Sequence, residues 1–178
     1  MKKALAVTPA THILDDNKVE YTLHKFSSMV ARDFGQEAAQ SMGQSMGIDS
    51  RRVFKTIIFT DSTTFFVAIS PVDHEISTKK LAQAVGVRTV HPASKDDAQR
   101  VTGYVIGGIS PFGQKKSHTT VLDDSAWSFS TIYVSGGRRG LEIELTPSSI
   151  TQVLGAIRAP ISARDASERQ ENPTGQGH

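Results

Sequence analysis

Lys55 stands inside the run Val53-Phe54-Lys55-Thr56-Ile57-Ile58-Phe59. Strand spacing puts Val53, Lys55, Ile57 and Phe59 on one face and Phe54, Thr56 and Ile58 on the other. Both faces are largely apolar, the pattern of a central strand. An unpaired ammonium is costly to bury there. The side chain must therefore reach an anion, line a cavity, or snorkel to the surface near a strand end. The first two outcomes would let it hold a phosphate, a carboxylate or developing negative charge.

The stretch GYVIGGISPFGQKK, residues 103–116, carries Gly103, Gly107, Gly108 and Gly113 with Pro111. A loop so poor in side chains lets a ligand approach the backbone, and its N–H groups can face negative charge. An irregular connection would show the same composition. No lysine followed by Ser or Thr sits at P-loop spacing, and no dinucleotide fingerprint is present. A third stretch, YVSGGRRGLEIEL at 133–145, runs as strand, glycine turn and strand. Its glycines suit a hairpin turn, and Ser135 at the strand end is placed to line a pocket. Arg138 and Arg139 are either a solvated turn or, with Lys115 and Lys116, a phosphate-binding rim.

Other chemistries find little footing. The chain has no cysteine, hence no thiol nucleophile, disulfide or cysteine zinc site. Its six histidines do not pair at ligand spacing, so no metal is expected. No G-x-S-x-G elbow appears, and no cofactor motif is visible.

Elements that position these residues can be read from caps and periodicity. Thr8 before Pro9 opens a helix running to about Asn17. Val19 to Phe26 alternates as a strand. Asp33 precedes a second helix, FGQEAAQSMG, ending at Gly43 or Gly47. VFKTIIF and TFFVAIS form a hairpin around Asp61 and Ser62. Ser77 caps the helix TKKLAQAV, which stops at Gly86 and leads to a short strand, VRTVH. TTVLDD, FSTIYVS and LEIEL are three further strands, and Ser148 and Ser149 start a last helix, ITQVLGA. Hairpins outnumber βαβ steps, which predicts an α+β fold with a mixed, strongly curved sheet flanked by helices.

The 178 residues suit one domain. Hydrophobic residues are 38% and charged residues 21%, enough for a real core and unlike a disordered chain. Residues 1–162 read as the folded domain and 163–178, which hold almost no large apolar residue, as a disordered tail. The net charge of +2 permits a nucleic-acid partner without demanding one. No apolar run approaches a membrane span and the first residues do not read as a signal peptide, so a cytoplasmic location is the expectation.

The strings FKT (54–56), TGYVIGGISPFGQKK (102–116) and TIYVSGGRRGLEIEL (131–145), with TPA (8–10) and FGQEAA (34–39), closely resemble the YbaK family. These are bacterial Cys-tRNA(Pro) deacylases, related to the editing domain inserted in many prolyl-tRNA synthetases. The resemblance spans roughly residues 5–160. It implies a single editing domain that removes mistakenly attached cysteine from tRNA, in concert with prolyl-tRNA synthetase and without a cofactor. It implies that Lys55 with Gly107 and Gly108 carries the chemistry, and that Phe34, Thr56, Ile109, Ser135, Phe26 and Glu142 line the substrate. Lys115, Lys116, Arg138 and Arg139 would meet the tRNA. Phe26 stands where many members have tyrosine and Glu142 where aspartate is frequent. The resemblance further implies substrate-assisted cleavage, in which the cysteine thiol attacks its own ester to give a thiolactone. Relatives that clear alanine by water attack, and a non-catalytic module binding tRNA or synthetase, are the other functions the pattern allows.

Overall fold

A computed structural model describes residues 7–26 and 47–163. The expected second helix, the candidate Phe34 and the expected tail beyond Ala163 lie outside the described residues. Thr8 caps helix α1 (Pro9–Asp16) through a reciprocal box: its hydroxyl accepts from the Thr11 N–H while Thr11 accepts from the Thr8 N–H. Pro9 takes the first helical position, and Ala10 and Leu14 are buried. Strand β1 is Thr22–Lys25, shorter than expected because Val19 N–H still closes onto the Leu14 carbonyl. A 3-10 turn, Ser50–Arg52, leads into β2 (Phe54–Thr60), which pairs antiparallel with β3 (Phe65–Pro71) as expected. The Asp61 carboxylate accepts from the Thr63 and Thr64 N–H groups and closes that hairpin.

Helix α2 is Thr78–Val85, capped by Ser77 and ended by Gly86. The expected strand VRTVH is reduced to β4, His91–Pro92. Beyond it lies a helix absent from the sequence reading, α3 (Lys95–Thr102), with the Ser94 hydroxyl accepting from the Asp97 N–H. Strand β5 (Thr119–Asp123), a second 3-10 turn (Asp124–Ser128), β6 (Ile132–Ser135) and β7 (Leu141–Leu145) follow. The last helix, α4 (Pro147–Leu154), starts earlier than expected. Thr146, not a serine, is the cap, because Pro147 supplies the first helical position. Strand β8 (Ile157–Ala159) completes the described part.

The strands form two sheets. One has the order β4-β2-β3-β5-β8 and mixes antiparallel and parallel pairs; the other, β1-β7-β6, is antiparallel. A parallel bridge between Val53 and Tyr133 joins them. The α+β expectation holds, and the curvature resolves into a seam between two sheets. The main core gathers Phe54, Ile58, Val67, Ile69 and Leu122 from the larger sheet with Val134, Ile143 and Leu145 from the smaller. Helix α1 adds Leu14, and the glycine loop adds Tyr104, Ile109 and Phe112. A second cluster packs Leu81 and Ala82 of α2 on Phe59, Phe66 and Val121.

Asp123 fastens the end of the domain. One carboxylate oxygen accepts from the Ile161 and Ser162 N–H groups, the other from the Ser125 N–H and hydroxyl. Burial raises its pKa, but these donors outweigh burial and hold it below the ordinary 3.8. Because the folded pKa is depressed, this stabilisation is present above the unfolded value and is lost as pH falls through the folded one. Asp123→Asn should cost about 1–3 kcal/mol at pH 7. Urea melts of the two proteins should converge below pH 3.8; a pH-independent gap would refute the charge-based account.

Candidate functional site

The outer face of the small sheet carries Ser135 and Glu142. Cross-strand register sets Ser135 opposite Glu142, and His24 opposite Glu142 from the other side. Tyr133 and Glu144 lie two residues away on the same face. Phe26 follows β1, with its N–H donating to the Gly140 carbonyl at 2.7 Å. Val53, Tyr133 and Ile48 form a small apolar cluster with Phe26 and Val72 packed on it. From the parallel bridge Val53–Tyr133, Lys55 and Ser135 each lie two residues on in the same direction. Strand alternation keeps them on the faces of their bridging neighbours. The fold thus gathers Lys55, Ser135, Glu142 and Phe26 around one seam.

Lys55 is half-buried, and its Nζ donates to the His74 carbonyl at 2.5 Å. Burial lowers its pKa, while the nearby Glu75 and Asp73 carboxylates oppose that shift and favour the ammonium. The Ser135 hydroxyl accepts from the Gly137 N–H at 3.2 Å, leaving its own proton for another acceptor. Desolvation pushes the Glu142 carboxyl up to about 8. That shift favours the protonated form, which can donate as well as accept.

The glycine loop meets this seam through the turn after Ser135. A Cβ on Gly108 would stand 3.1 Å from the Arg138 Cα, and one on Gly137 would stand 2.8 Å from the Tyr104 ring. The Gly108 N–H donates to the Val105 carbonyl at 2.9 Å. Gly108 therefore lies against Arg138–Arg139, while Tyr104, Ile109 and Phe112 pack into the main core. That core lies on the face of β2 opposite Lys55. Ile109 is 9% exposed. Thr56 alternates with Lys55 and points to the core face, where its Oγ1 is buried without a hydrogen-bond partner among the described residues.

Arg138 donates to the Val7 carbonyl at 3.3 Å and Arg139 to the Ile106 carbonyl at 3.0 Å. The Lys115 stem lies over Gly103. Lys116 instead lines a groove of about 260 Å³ with Ile13, Asn17, His118 and Leu154. The basic residues are thus spread over two places. Among the described residues, no cluster of His, Asp and Glu could hold a metal ion, and no helix is long and apolar enough to cross a membrane.

One group escaped the sequence reading. Glu144 accepts from His24 Nε2 at 3.0 Å, from Arg52 Nη2 at 3.1 Å and from the Thr131 hydroxyl at 2.6 Å. The only forewarning is that Glu142 and Glu144 alternate onto one face of LEIEL.

Three comparisons bear on this arrangement. The profile of the aminoacyl-tRNA editing domain matches residues 35–152. EbsC of Enterococcus faecalis, which bears the name of a Cys-tRNA(Pro)/Cys-tRNA(Cys) deacylase, is 35% identical over 165 residues, 92% of this chain and 98% of its own. A proline–tRNA ligase of Fervidobacterium nodosum is 29% identical over 79 residues, 44% of this chain and 14% of the ligase. A solved structure described as a trans-editing enzyme for prolyl tRNA synthetase superposes with a TM-score of 0.74. It is 16% identical and covers 89% of this chain and 99% of that one. At that identity the superposition speaks for the fold.

Proposed function

The chain belongs to the aminoacyl-tRNA editing domain family, and from that premise we propose that it is a trans-acting deacylase that clears cysteine from Cys-tRNA(Pro). The observation that carries this reading is the seam itself: Lys55 and Ser135 each stand two residues on from the bridge that joins the sheets, and Glu142 lies opposite Ser135. The similarity to EbsC along nearly all of both chains supports cysteine as the amino acid. Similarity to part of a proline–tRNA ligase supports tRNA(Pro) as the carrier and the synthetase as a partner. Such a reaction belongs in the cytoplasm, where charged tRNA is used.

No serine–histidine or metal arrangement is needed if the substrate cuts itself. The cysteine thiol, as thiolate, attacks its own ester carbonyl. The ester C–O bond breaks, and the ribose oxygen leaves with the proton that the thiol gave up. The products are a cyclic thiolactone and free tRNA. The protein's part is placement, which can lower a barrier by ~7–11 kcal/mol in favourable cases, and stabilisation of the oxyanion. Lys55 would offset the negative charge. The Gly107 N–H, not engaged by another group among the described residues, would donate to the carbonyl oxygen. The Gly108 N–H would have to leave Val105 to do the same. Glu142 and Ser135 would hold the α-amino group or a ribose hydroxyl, and a bound ammonium would draw the Glu142 proton away. Phe26, together with Phe34, would bound the small side chain, Ile109 would back the glycine loop from the core, and Thr56 would support Lys55 from behind its strand. Arg138 and Arg139 would meet the acceptor end, with Lys115 and Lys116 further along the tRNA.

Proline has no thiol, so correct Pro-tRNA(Pro) would survive by chemistry. A fit-only pocket separating ligands by one methylene manages roughly 10–200-fold. Deacylation of Cys-, Ala- and Pro-tRNA(Pro) tests the reading. Release of thiolactone from Cys-tRNA(Pro), with Pro-tRNA(Pro) intact, is the expected result. Faster clearance of alanine, or tight tRNA binding without turnover, would overturn it.

A further inference from the structure

We propose that Arg52 is a positioning residue, acting through the seam between the two sheets to set the spacing of Lys55 and Ser135. The inference rests on the reading that these two residues share the substrate. Arg52 comes immediately before Val53, whose bridge to Tyr133 joins the sheets. Its guanidinium crosses that seam. Nε donates to the Thr131 carbonyl at 2.9 Å and Nη2 to Glu144 Oε2 at 3.1 Å, with a further contact from Nη2 to the Thr131 hydroxyl. The guanidinium carbon lies 5.0 Å from the centre of the Tyr133 ring, within cation–π range.

Every partner in this set belongs to the small sheet or to the residue leading into it, while Arg52 belongs to the approach of β2. Thr131 precedes β6, the strand that ends in Ser135, and Glu144 lies on β7 opposite Tyr133. His24 holds the other Glu144 oxygen and meets the Tyr133 ring edge-on, so the carboxylate is fixed from two sides. The Arg52 and Glu144 side chains are 24% and 23% exposed. At that exposure the pair adds little to global stability, but its fork geometry defines a direction that an ammonium cannot copy. The shared core presses the two sheets together, and the Val53–Tyr133 bridge is where their backbones meet. A planar guanidinium held at three points and set over the bridging tyrosine fixes the alignment of the strands at that meeting point. Lys55 lies three residues from Arg52, and Ser135 four from Thr131.

The test compares Arg52→Ala, Arg52→Lys, Glu144→Gln and the double variant R52A/E144Q in the full chain, assayed on Cys-tRNA(Pro) well below their melting temperatures. A misplacement of about 1 Å costs on the order of 10²-fold, so R52A should lose about that factor in kcat with KM nearly unchanged. R52K should not restore it. The double variant should lose no more kcat than R52A, since both remove one clamp. Wild-type kcat in R52A, or losses that multiply in the double variant, would overturn the proposal. A readout that needs no turnover is the titration of the Lys55 Cε resonance. It should move toward ordinary lysine in R52A as the seam loosens, and an unmoved titration would also overturn the proposal. Should the wild type deacylate no mischarged tRNA, the proposed function fails, and the Lys55 titration still decides the role of Arg52.

Discussion

Lys55→Ala should lower deacylation of Cys-tRNA(Pro) by at least about 10²–10³-fold, the loss expected when a stabiliser of a developing oxyanion is removed. The same change should leave the protein folded. Lys55 is half-buried, and its hydrogen bond goes to a main-chain carbonyl, that of His74. Losing that bond is offset by relief of the burial that already disfavours its charge. The net change should be about 1 kcal/mol, or roughly 2–4 °C in Tm for a chain of this length. Lys55→Met keeps the apolar stem and should be as inactive as alanine, which separates loss of charge from loss of packing. Lys55→Arg should not rescue, because a planar fork has a different reach and hydration from an ammonium. Turnover near the wild-type rate in the alanine variant would remove the lysine from the mechanism.

The reason Lys55 could be read from the sequence is local: one charge in a strand with two apolar faces. The structure gives each face its own neighbours, with Phe54 and Ile58 in the main core and Phe59 against the α2 cluster. Capping chemistry was equally legible at Thr8, Ser77 and Gly86, because a cap is decided within four residues. Helix α3 was missed because KDDAQRVT is mostly polar and only Ala98, Val101 and Thr102 are buried. Its signal was the pair Ser94 and Gly103, a capping serine and a terminating glycine around eight residues. The strand expected at VRTVH shrank because its first residue is still tied to α2, the Val87 N–H donating to the Ala82 carbonyl, and pairing with β2 begins only at His91.

The site was legible in part for the same reason. Ser135 and Glu142 fall at the ends of strands whose alternation is plain, and the hairpin between them makes them partners. The Arg52 clamp was not legible. It depends on residues 52, 131 and 144 meeting, and nothing in the local pattern around any of them records the others. The close packing at the glycines was not legible for a related reason. In the loop read as baring its backbone to a ligand, Gly108 and Gly113 also let one chain segment touch another, as Gly137 of the hairpin does. Gly108 lies on Arg138, Gly137 on Tyr104, and Gly113 on the start of α1.

That last contact gives the largest expected effect on stability. A Cβ on Gly113 would stand 2.5 Å from both the carbonyl carbon and the oxygen of Pro9, and 2.9 Å from the Ala10 nitrogen. These are main-chain atoms at the first turn of a capped helix, so no side chain can swing aside. Gly113 also has φ +69°, which costs other L-residues roughly 1–2 kcal/mol. Overpacking adds about 1–3 kcal/mol. Gly113→Ala should therefore destabilise by about 2–5 kcal/mol in urea unfolding, or roughly 5–15 °C in Tm. Gly86 is the control: its φ is +77° but nothing lies within 4 Å of its Cβ position. Gly86→Ala should cost only the backbone strain, about 1–2 kcal/mol. The difference between the two variants measures the close approach alone, and equal midpoints would mean that α1 yields at no cost. If α1 must shift, so must its other anchor, the Thr8 hydroxyl, which donates to the Gly136 carbonyl at 2.7 Å. That carbonyl belongs to the turn after Ser135, against which Gly108 lies. Whatever fraction of G113A remains folded should then deacylate more slowly per folded molecule than G86A, because the displaced helix pulls on the turn that aligns both halves of the seam.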